Sequence, residues 1–387
     1  MASRAIWPCT RRNTASKHKR RLRQASADHS PMNTPESHGK MTLLLKVSAS
    51  LLVLCMFITA QAQTDDYSGR IDDLIKTTSP RSFNGVILIT QNGKTKYSRA
   101  YGYADFEKRT ALKPDDNFRI MSNSKQITAV LILREVEKGR IDLQSPVRRY
   151  LPYLPQAWAD TVTVHQLLNF SAGITDIDQP LSFPPGTDFL YGVTTYSMLG
   201  AIVEKVSGQK YIQAANELFH ELGMHNSFCY EEDKHNDVIR GYVNSSNGYT
   251  LKEHPVQGSG WIDFIPAGGI VSNAKDLNLW DEKLHKGKIL TPASYQLMTS
   301  YNISSRHVAF GDEKIGYGYG VYVNDKIPAS YIGHSGKGLG FASIKVYFPE
   351  KDVDMIVLEN QFSEDSALHY HFEIKIREIV MNSSLLR

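Results

Sequence analysis

Residues 117–139 read NFRIMSNSKQITAVLILREVEKG, and the reading of the whole chain turns on them. Within this stretch Ser122-Asn123-Ser124-Lys125 sets a hydroxyl and an amine three residues apart. On a helix that spacing puts both on one face. A serine hydroxyl is a poor nucleophile until a base takes its proton. A lysine desolvated enough to be neutral part of the time is such a base. Apolar residues at 127, 130, 131 and 133 predict a helix with a buried stripe, and Gly139 is its stop signal. Ser122 then opens the helix at the positive end of its dipole, with its own N–H placed to polarise a carbonyl. The same S-x-x-K spacing recurs at Ser16–Lys19, Ser37–Lys40, Ser207–Lys210 and Ser272–Lys275. The first two fall in an expected leader, Ser207 follows a helix, and Ser272 begins a shorter helix with Asp276 as a first-turn acid. The competing reading of Ser122 is a plain helix N-cap.

Landmarks on either side decide between those readings. Gly85-Val86-Ile87-Leu88-Ile89 and Gly102-Tyr103-Ala104-Asp105 precede the serine, and Glu137-Lys138-Gly139-Arg140-Ile141-Asp142-Leu143 follows it. Then come Tyr150-Leu151-Pro152, Leu167-Leu168, Pro185-Gly186-Thr187 with Phe189 and Tyr191, and Leu222-Gly223-Met224. Gly268-Gly269-Ile270-Val271-Ser272, Tyr317-Gly318-Tyr319-Gly320 and His334-Ser335-Gly336 with Gly340-Phe341 complete the series. Over residues 84–362 this order resembles the serine β-lactamase-like superfamily, in its class C β-lactamase, D-alanyl-D-alanine carboxypeptidase and esterase branch. The resemblance implies an α+β fold: an antiparallel sheet flanked by helices, with a mostly helical second lobe and the active site in the cleft between them.

Three motifs of that superfamily transfer unequally. S-x-x-K is intact at Ser122 and Lys125. Y-x-N falls on Tyr191-Gly192-Val193, which keeps the tyrosine that relays protons in the family. Val193 replaces the asparagine that helps hold the lysine and a substrate amide, and this weighs against β-lactam recognition. K/H-x-G is His334-Ser335-Gly336, with the N–H of Lys337 implied as an oxyanion donor beside that of Ser122. At Leu167-Leu168-Asn169-Phe170-Ser171-Ala172-Gly173 the family typically reads L-L-T-H-T-S-G, so Asn169 and Phe170 mark a divergence in a segment that supports the site.

Charge separates the chain into two parts. Ten of the 44 Lys and Arg residues, but only two of the 40 Asp and Glu residues, lie in positions 1–62. The remainder therefore carries about −4 against +4 for the whole chain, and its lack of a basic stripe argues against nucleic-acid binding. Met41-Thr42-Leu43-Leu44-Leu45-Lys46, an apolar run to Ile58 and Ala60-Gln61-Ala62 have the three parts of a secretory signal. The run is short for a membrane span, and no lipobox precedes Cys55, so no stable membrane anchor is expected. Residues 1–62 are thus expected to be a leader, with translation starting at Met41 or Met32, cleavage near Ala62, and a periplasmic or secreted product. A mitochondrial presequence is the alternative. Loss of Cys9 and Cys55 leaves Cys229 as the sole cysteine, which excludes an internal disulfide. His369 and His371 are badly spaced for metal ligands on one helix, and no metal or cofactor is called for.

The expected domain is 63–387, with a helical lobe at about 118–262. A helix is expected near Tyr67–Lys76, then a hairpin of strands 85–90 and 95–101 turning at Asn92-Gly93. Strands return at about 318–323, 342–348 and 355–360, before a final helix from Ser366 to Val380. The functional expectation is a serine hydrolase acting through an acyl-enzyme on an ester, a D-amino-acid peptide or a β-lactam. Ser122, Lys125 and Tyr191 would carry the chemistry, with His334, Ser335, Gly336 and Lys337 lining the substrate side. Its partner is a small-molecule or peptide acyl donor, and its oligomeric state stays open. The competing class is a catalytically impaired penicillin-binding-like protein.

Overall fold

A computed structural model describes residues 65–231, 237–246, 248–252, 259–326 and 329–387, and the expected leader lies outside them. Helix α1 (Ser68–Ile75) buries Ile71 and Ile75 and leads to strands β1 (Gly85–Gln91) and β2 (Lys94–Tyr101). Asn92 and Gly93 between them take φ of 52° and 70°, the doubly left-handed geometry of a tight hairpin turn. Short strands β3 (Tyr103–Asp105), β4 (Thr110–Ala111) and β5 (Phe118–Arg119) then deliver the chain to Ser122. Helices α2 (Ser124–Glu137), α3 (Val164–Leu168), α4 (Thr194–Ser207) and α5 (Tyr211–Leu222) follow. The segment goes on through β6 (Phe228–Cys229), β7 (Tyr242–Ser245) and β8 (Gly248–Leu251) to helix α6 (Ser259–Gly268).

The remaining chain adds β9 (Ile270–Ser272), α7 (Ala274–His285) and α8 (Pro292–Thr299). Strands β10 (Ser304–His307), β11 (Gly311–Tyr317), β12 (Tyr322–Asn324), β13 (Tyr331–Gly338), β14 (Phe341–Phe348) and β15 (Val353–Glu359) come next, then β16 (Gln361–Ser363) and helix α9 (His371–Met381). The principal sheet is antiparallel, in the order β10-β11-β12-β13-β14-β15-β1-β2. Its strands come from the two ends of the described chain, and helices α2 to α8 are inserted between them. This is the α+β architecture expected of a β-lactamase/transpeptidase-like fold.

Three local expectations need correction. Residues 124–133 of α2 are buried on every face, not along one stripe. The helix runs through the middle of the helical region, enclosed by α4, α5 and α6, so it has no solvent side to keep polar. Residues 318–321 form the β11–β12 turn, not a strand. A Cβ on Gly320 (φ 68°) would stand 2.7 Å from the carbonyl oxygen of Lys125, so this turn presses on helix α2. The last helix begins at His371, because Tyr370 at φ 59° breaks the run from Ser366. The 118–262 region also contains the short strands β5 to β8 among its helices.

Candidate active site

The serine sits at a strained turn. Ser122 is the middle residue of a 3₁₀ turn, Met121–Asn123, between β5 and α2. Met121 adopts φ of 50°, a left-handed conformation that long side chains rarely take. Hydrogen bonds from several elements hold it there. Ile120 N–H donates to Ile270 O (3.0 Å), Ser124 Oγ donates to Met121 O (2.6 Å), and Ser343 Oγ donates to Ile120 O (3.0 Å). Asn123 Nδ2 in turn donates to Ser343 Oγ (2.9 Å), locking the turn to β14.

Lys125 is 1% exposed, and its Nζ lies 3.0 Å from Ser122 Oγ. It also donates to Ala267 O at 2.8 Å. That carbonyl belongs to the last turn of α6, where helix geometry supplies no partner of its own. Gly268 and Gly269 let the chain double back there, since a Cβ at either would meet Phe264 or Ile265 within 2.6 Å. The Lys125 ammonium also faces the rings of Tyr191 (4.8 Å) and Tyr196 (5.5 Å), contacts that favour its charged form. Burial without a carboxylate partner outweighs them and pushes the amine down to about 7. Near neutral pH a large fraction of Lys125 is therefore an uncharged base beside the hydroxyl.

Tyr191 completes the group, with its ring 4.8 Å from the Lys125 amine and its phenol beside Ser122. The residue is 37% exposed, yet its hydroxyl end is enclosed, and this burial raises the phenol far above neutral pH. Tyr191 thus works as a neutral phenol, and Lys125 is the group poised to accept a proton. Phe170, buried at φ 62°, packs its ring 4.5 Å from that of Tyr191 and also against Phe189, Tyr196 and Tyr317. Asn169 Nδ2 donates to Asn302 Oδ1 (3.0 Å), while its Oδ1 accepts from the N–H and hydroxyl of Ser171. These two divergent residues support the site through packing and hydrogen bonding. Val193 stands 43% exposed at the N-cap of α4 and makes no capping bond.

Strand β13 forms the facing wall. Strand β12 ends opposite Gly333, and beyond that point the serine turn packs along β13. A Cβ on Gly336 would stand 2.2 Å from Ile120 O, so only glycine permits this approach. The β13–β14 hairpin turns through Leu339 and Gly340, at φ of 54° and 81°. Its two-residue loop makes Gly338 and Phe341 a hydrogen-bonded pair, which leaves the Lys337–Ala342 pair non-bonded. The N–H of Lys337 is thereby directed away from β14, toward the edge that the serine turn occupies.

His334 is fully buried. Its Nδ1 lies 2.6 Å from Ser335 O, which only accepts, so Nδ1 carries the proton. Nε2 then accepts from the Tyr317 hydroxyl at 3.1 Å. Burial, reinforced by the charge of Lys125, keeps this imidazole neutral. Ser335 is directed elsewhere, with its hydroxyl 3.4 Å from His307 Nε2. The Lys337 amine likewise reaches toward His369. The fold therefore gathers Ser122, Lys125, Tyr191 and His334, with Gly336 against the serine turn. It sends the side chains of Ser335 and Lys337 to the other face of the strand. Ala267 escaped the sequence reading because a backbone carbonyl has no residue signature. The Tyr317 partner of His334 was visible only as part of a landmark. Among the described residues no cluster of three or more His, Cys, Asp or Glu is arranged to hold a metal, and no helix is long and apolar enough to cross a membrane.

A family model described as "Beta-lactamase" matches residues 71–376. The putative penicillin-binding protein PbpX of Bacillus subtilis (strain 168) is 29% identical over 300 residues, covering 71% of this chain and 69% of its own. The chain spans about two thirds of the length of the curated relatives it matches. Among solved structures, the octameric penicillin-binding protein homologue from Pyrococcus abyssi aligns with a TM-score of 0.69 at 26% identity, covering 81% of this chain and 76% of that one. The D-amino acid amidase from Ochrobactrum anthropi SV3, complexed with D-phenylalanine, aligns with a TM-score of 0.68 at 22% identity, covering 81% and 98%. The match to the family model spans most of the chain and takes in Ser122, Lys125, Tyr191 and His334: this chain belongs to the beta-lactamase family, within a superfamily of serine hydrolases.

Proposed function

We propose that this protein hydrolyses an ester or a D-amino-acid amide or peptide through an acyl-enzyme on Ser122. The observation that carries the reading is the buried Lys125 amine, 3.0 Å from the hydroxyl and with no carboxylate to hold its proton. Lys125 takes the Ser122 proton as Oγ attacks the carbonyl, and the N–H groups of Ser122 and Lys337 receive the developing oxyanion. Tyr191, a neutral phenol beside Ser122, relays that proton from Lys125 to the leaving group, which leaves Lys125 unprotonated for the next step. Water then attacks the ester so formed, with Lys125 again as base, and releases the acid. An exposed valine at 193 offers no hydrogen bond to a substrate amide, which favours esters and compact amides over β-lactams. We further propose that the chain works outside the cytoplasm once residues 1–62 are removed. N-terminal sequencing of the exported protein tests this, and a retained leader would overturn it.

The first test of the activity is intact mass after exposure to a fluorophosphonate, with wild type and Ser122→Ala side by side. A single adduct on wild type that the variant lacks is expected. No adduct on folded wild type would overturn the hydrolase reading in favour of a binding protein.

A further inference from the structure

The Ala267 carbonyl that receives the Lys125 amine sits where α6 gives way to β9, and side chains of α2 take over the hydrogen bonding there. In a continuing helix the N–H of Ile270 would donate to Pro266 O. It donates instead to Ser124 Oγ, at 3.2 Å. Pro266 O is taken by the Thr128 hydroxyl at 2.6 Å, and Ala267 O by Lys125 Nζ at 2.8 Å. Ser124, Lys125 and Thr128 thus grip residues 266–270 from one face of α2. Behind Thr128 stands Tyr211, the first residue of α5, with its hydroxyl 2.6 Å from Thr128 Oγ1. Both side chains are buried. The one Thr128 proton goes to Pro266 O, which only accepts, so the Tyr211 hydroxyl must be the donor. The result is a one-way chain from Tyr211 O–H to Thr128 O–H to the Pro266 carbonyl. Gly200 of α4 makes room for it, since a Cβ there would stand 2.3 Å from Pro266 Cγ.

Resting on the function proposed above, we infer that Thr128, backed by Tyr211, is a positioning residue for the general base. A neutral lysine amine has a lone pair as well as N–H donors, and only the lone pair can take a proton. Donating an N–H to Ala267 O fixes the rotation of the Lys125 amine and leaves the lone pair to face Ser122 Oγ, 3.0 Å away. That works only while the carbonyl stays in place. It lies in the last turn of α6, where helix geometry supplies no backbone partner. Thr128 anchors the adjoining carbonyl, and the Tyr211 hydroxyl strengthens that anchor by polarising the chain. Neither residue touches the reacting atoms; both act through the backbone at 266–267. The basicity of Lys125 is left to burial, which sets it.

The test follows Ser122 modification by a fluorophosphonate through intact mass, from about pH 5 to about pH 9, well below each variant's unfolding transition. Thr128→Val keeps the shape and removes the hydroxyl, and should react about tenfold more slowly at the high-pH plateau. The midpoint of its profile should stay at about 7, since Lys125 is desolvated as before. Thr128→Ser, which keeps the hydroxyl, should react within about twofold of wild type, and Tyr211→Phe should fall about threefold. A merely structural Thr128 would make Thr128→Val less stable and leave the folded variant reacting at the wild-type rate. That result would overturn the inference and leave the hydrolase reading standing. So would Thr128→Ser reacting as slowly as Thr128→Val, or a profile displaced by about a pH unit. If Thr128→Val does not fold, Tyr211→Phe decides, and a wild-type rate there overturns the inference. No modification of folded wild type would remove the hydrolase reading and the inference with it.

Discussion

Two lysines in this protein are each 1% exposed, and they do opposite things. Lys125, in the active site, meets a hydroxyl, a carbonyl and two aromatic rings, and burial pushes its amine down to about 7. Lys345, on β14 directly across from His334, meets the carboxylate of Asp281 from α7. Burial by itself would raise Asp281, but the charge of Lys345 overcomes it and holds the carboxyl at about 2. Beside this pair Asp354 is driven well above the usual carboxylate range by burial and by the charge of Asp281. Depth alone does not make a base. A buried lysine becomes one when nothing negative is left to keep its proton.

Removing each amine should therefore fail in a different currency. Lys125→Met is expected to lower kcat/KM by about a thousandfold or more, the scale of a lost general base at an activated nucleophile. Its thermal midpoint should be unchanged or higher, because the variant no longer buries an unpaired amine. Measured side by side, a lower midpoint with retained turnover would put Lys125 in the structural class with Lys345.

Lys345→Met should give the reverse result. It strands Asp281 in the interior next to Asp354, a loss of about 3–5 kcal/mol of stability. Turnover per folded molecule should remain within a few fold. The double variant Lys345→Met/Asp281→Leu should regain much of the lost stability in urea titrations. If the double variant is as unstable as the single, the pair is not the source of the effect.

The pH dependence sharpens the same contrast. Lys125 acts as a base only when deprotonated, so kcat/KM should rise about tenfold per pH unit below about 7 and level off above it. Its folded-state pKa lies below the unfolded value of 10.5, so between those limits the unfolded chain binds more protons. Its contribution to stability should accordingly grow as pH rises from about 7 to 10.5. A flat rate profile from pH 5 to 8 would show that another group accepts the serine proton.

The contrast between the lysines also shows what sequence could and could not reveal. Ser122 and Lys125 were legible because their relation is local, one helical turn on one segment. The Asn92-Gly93 hairpin was legible for the same reason, since both residues tolerate positive φ. Tyr191 needed the order of landmarks, because it reaches Ser122 only through the packing of Phe170 and α4. The apolar residues after Lys125 were misread as a stripe: periodicity cannot tell a half-buried helix from one enclosed on all sides. Gly318-Tyr319-Gly320 was misread as strand, although Gly320 passes close to the Lys125 carbonyl and Gly318 close to that of Met298. Whether a lysine has an acid beside it depends on contacts far apart in sequence, such as Lys345 with Asp281. No spacing rule announces them.

The smallest effect tests whether the rings around Lys125 tune it or merely cover it. Tyr196 puts its ring 5.5 Å from the Lys125 amine, while its hydroxyl donates to Leu168 O at 2.8 Å. Tyr196→Phe keeps the ring and deletes the hydroxyl, leaving a buried carbonyl without that donor. The loss should be about 1 kcal/mol of stability, read from urea midpoints. The acidic limb of the rate profile should not move, because desolvation sets the Lys125 amine and the phenylalanine ring desolvates it equally well. A shift of that limb by half a pH unit or more would mean that the Tyr196 hydroxyl reaches the amine electrostatically. The difference between the two lysines would then depend on polar groups around Lys125 as well as on the acid it lacks.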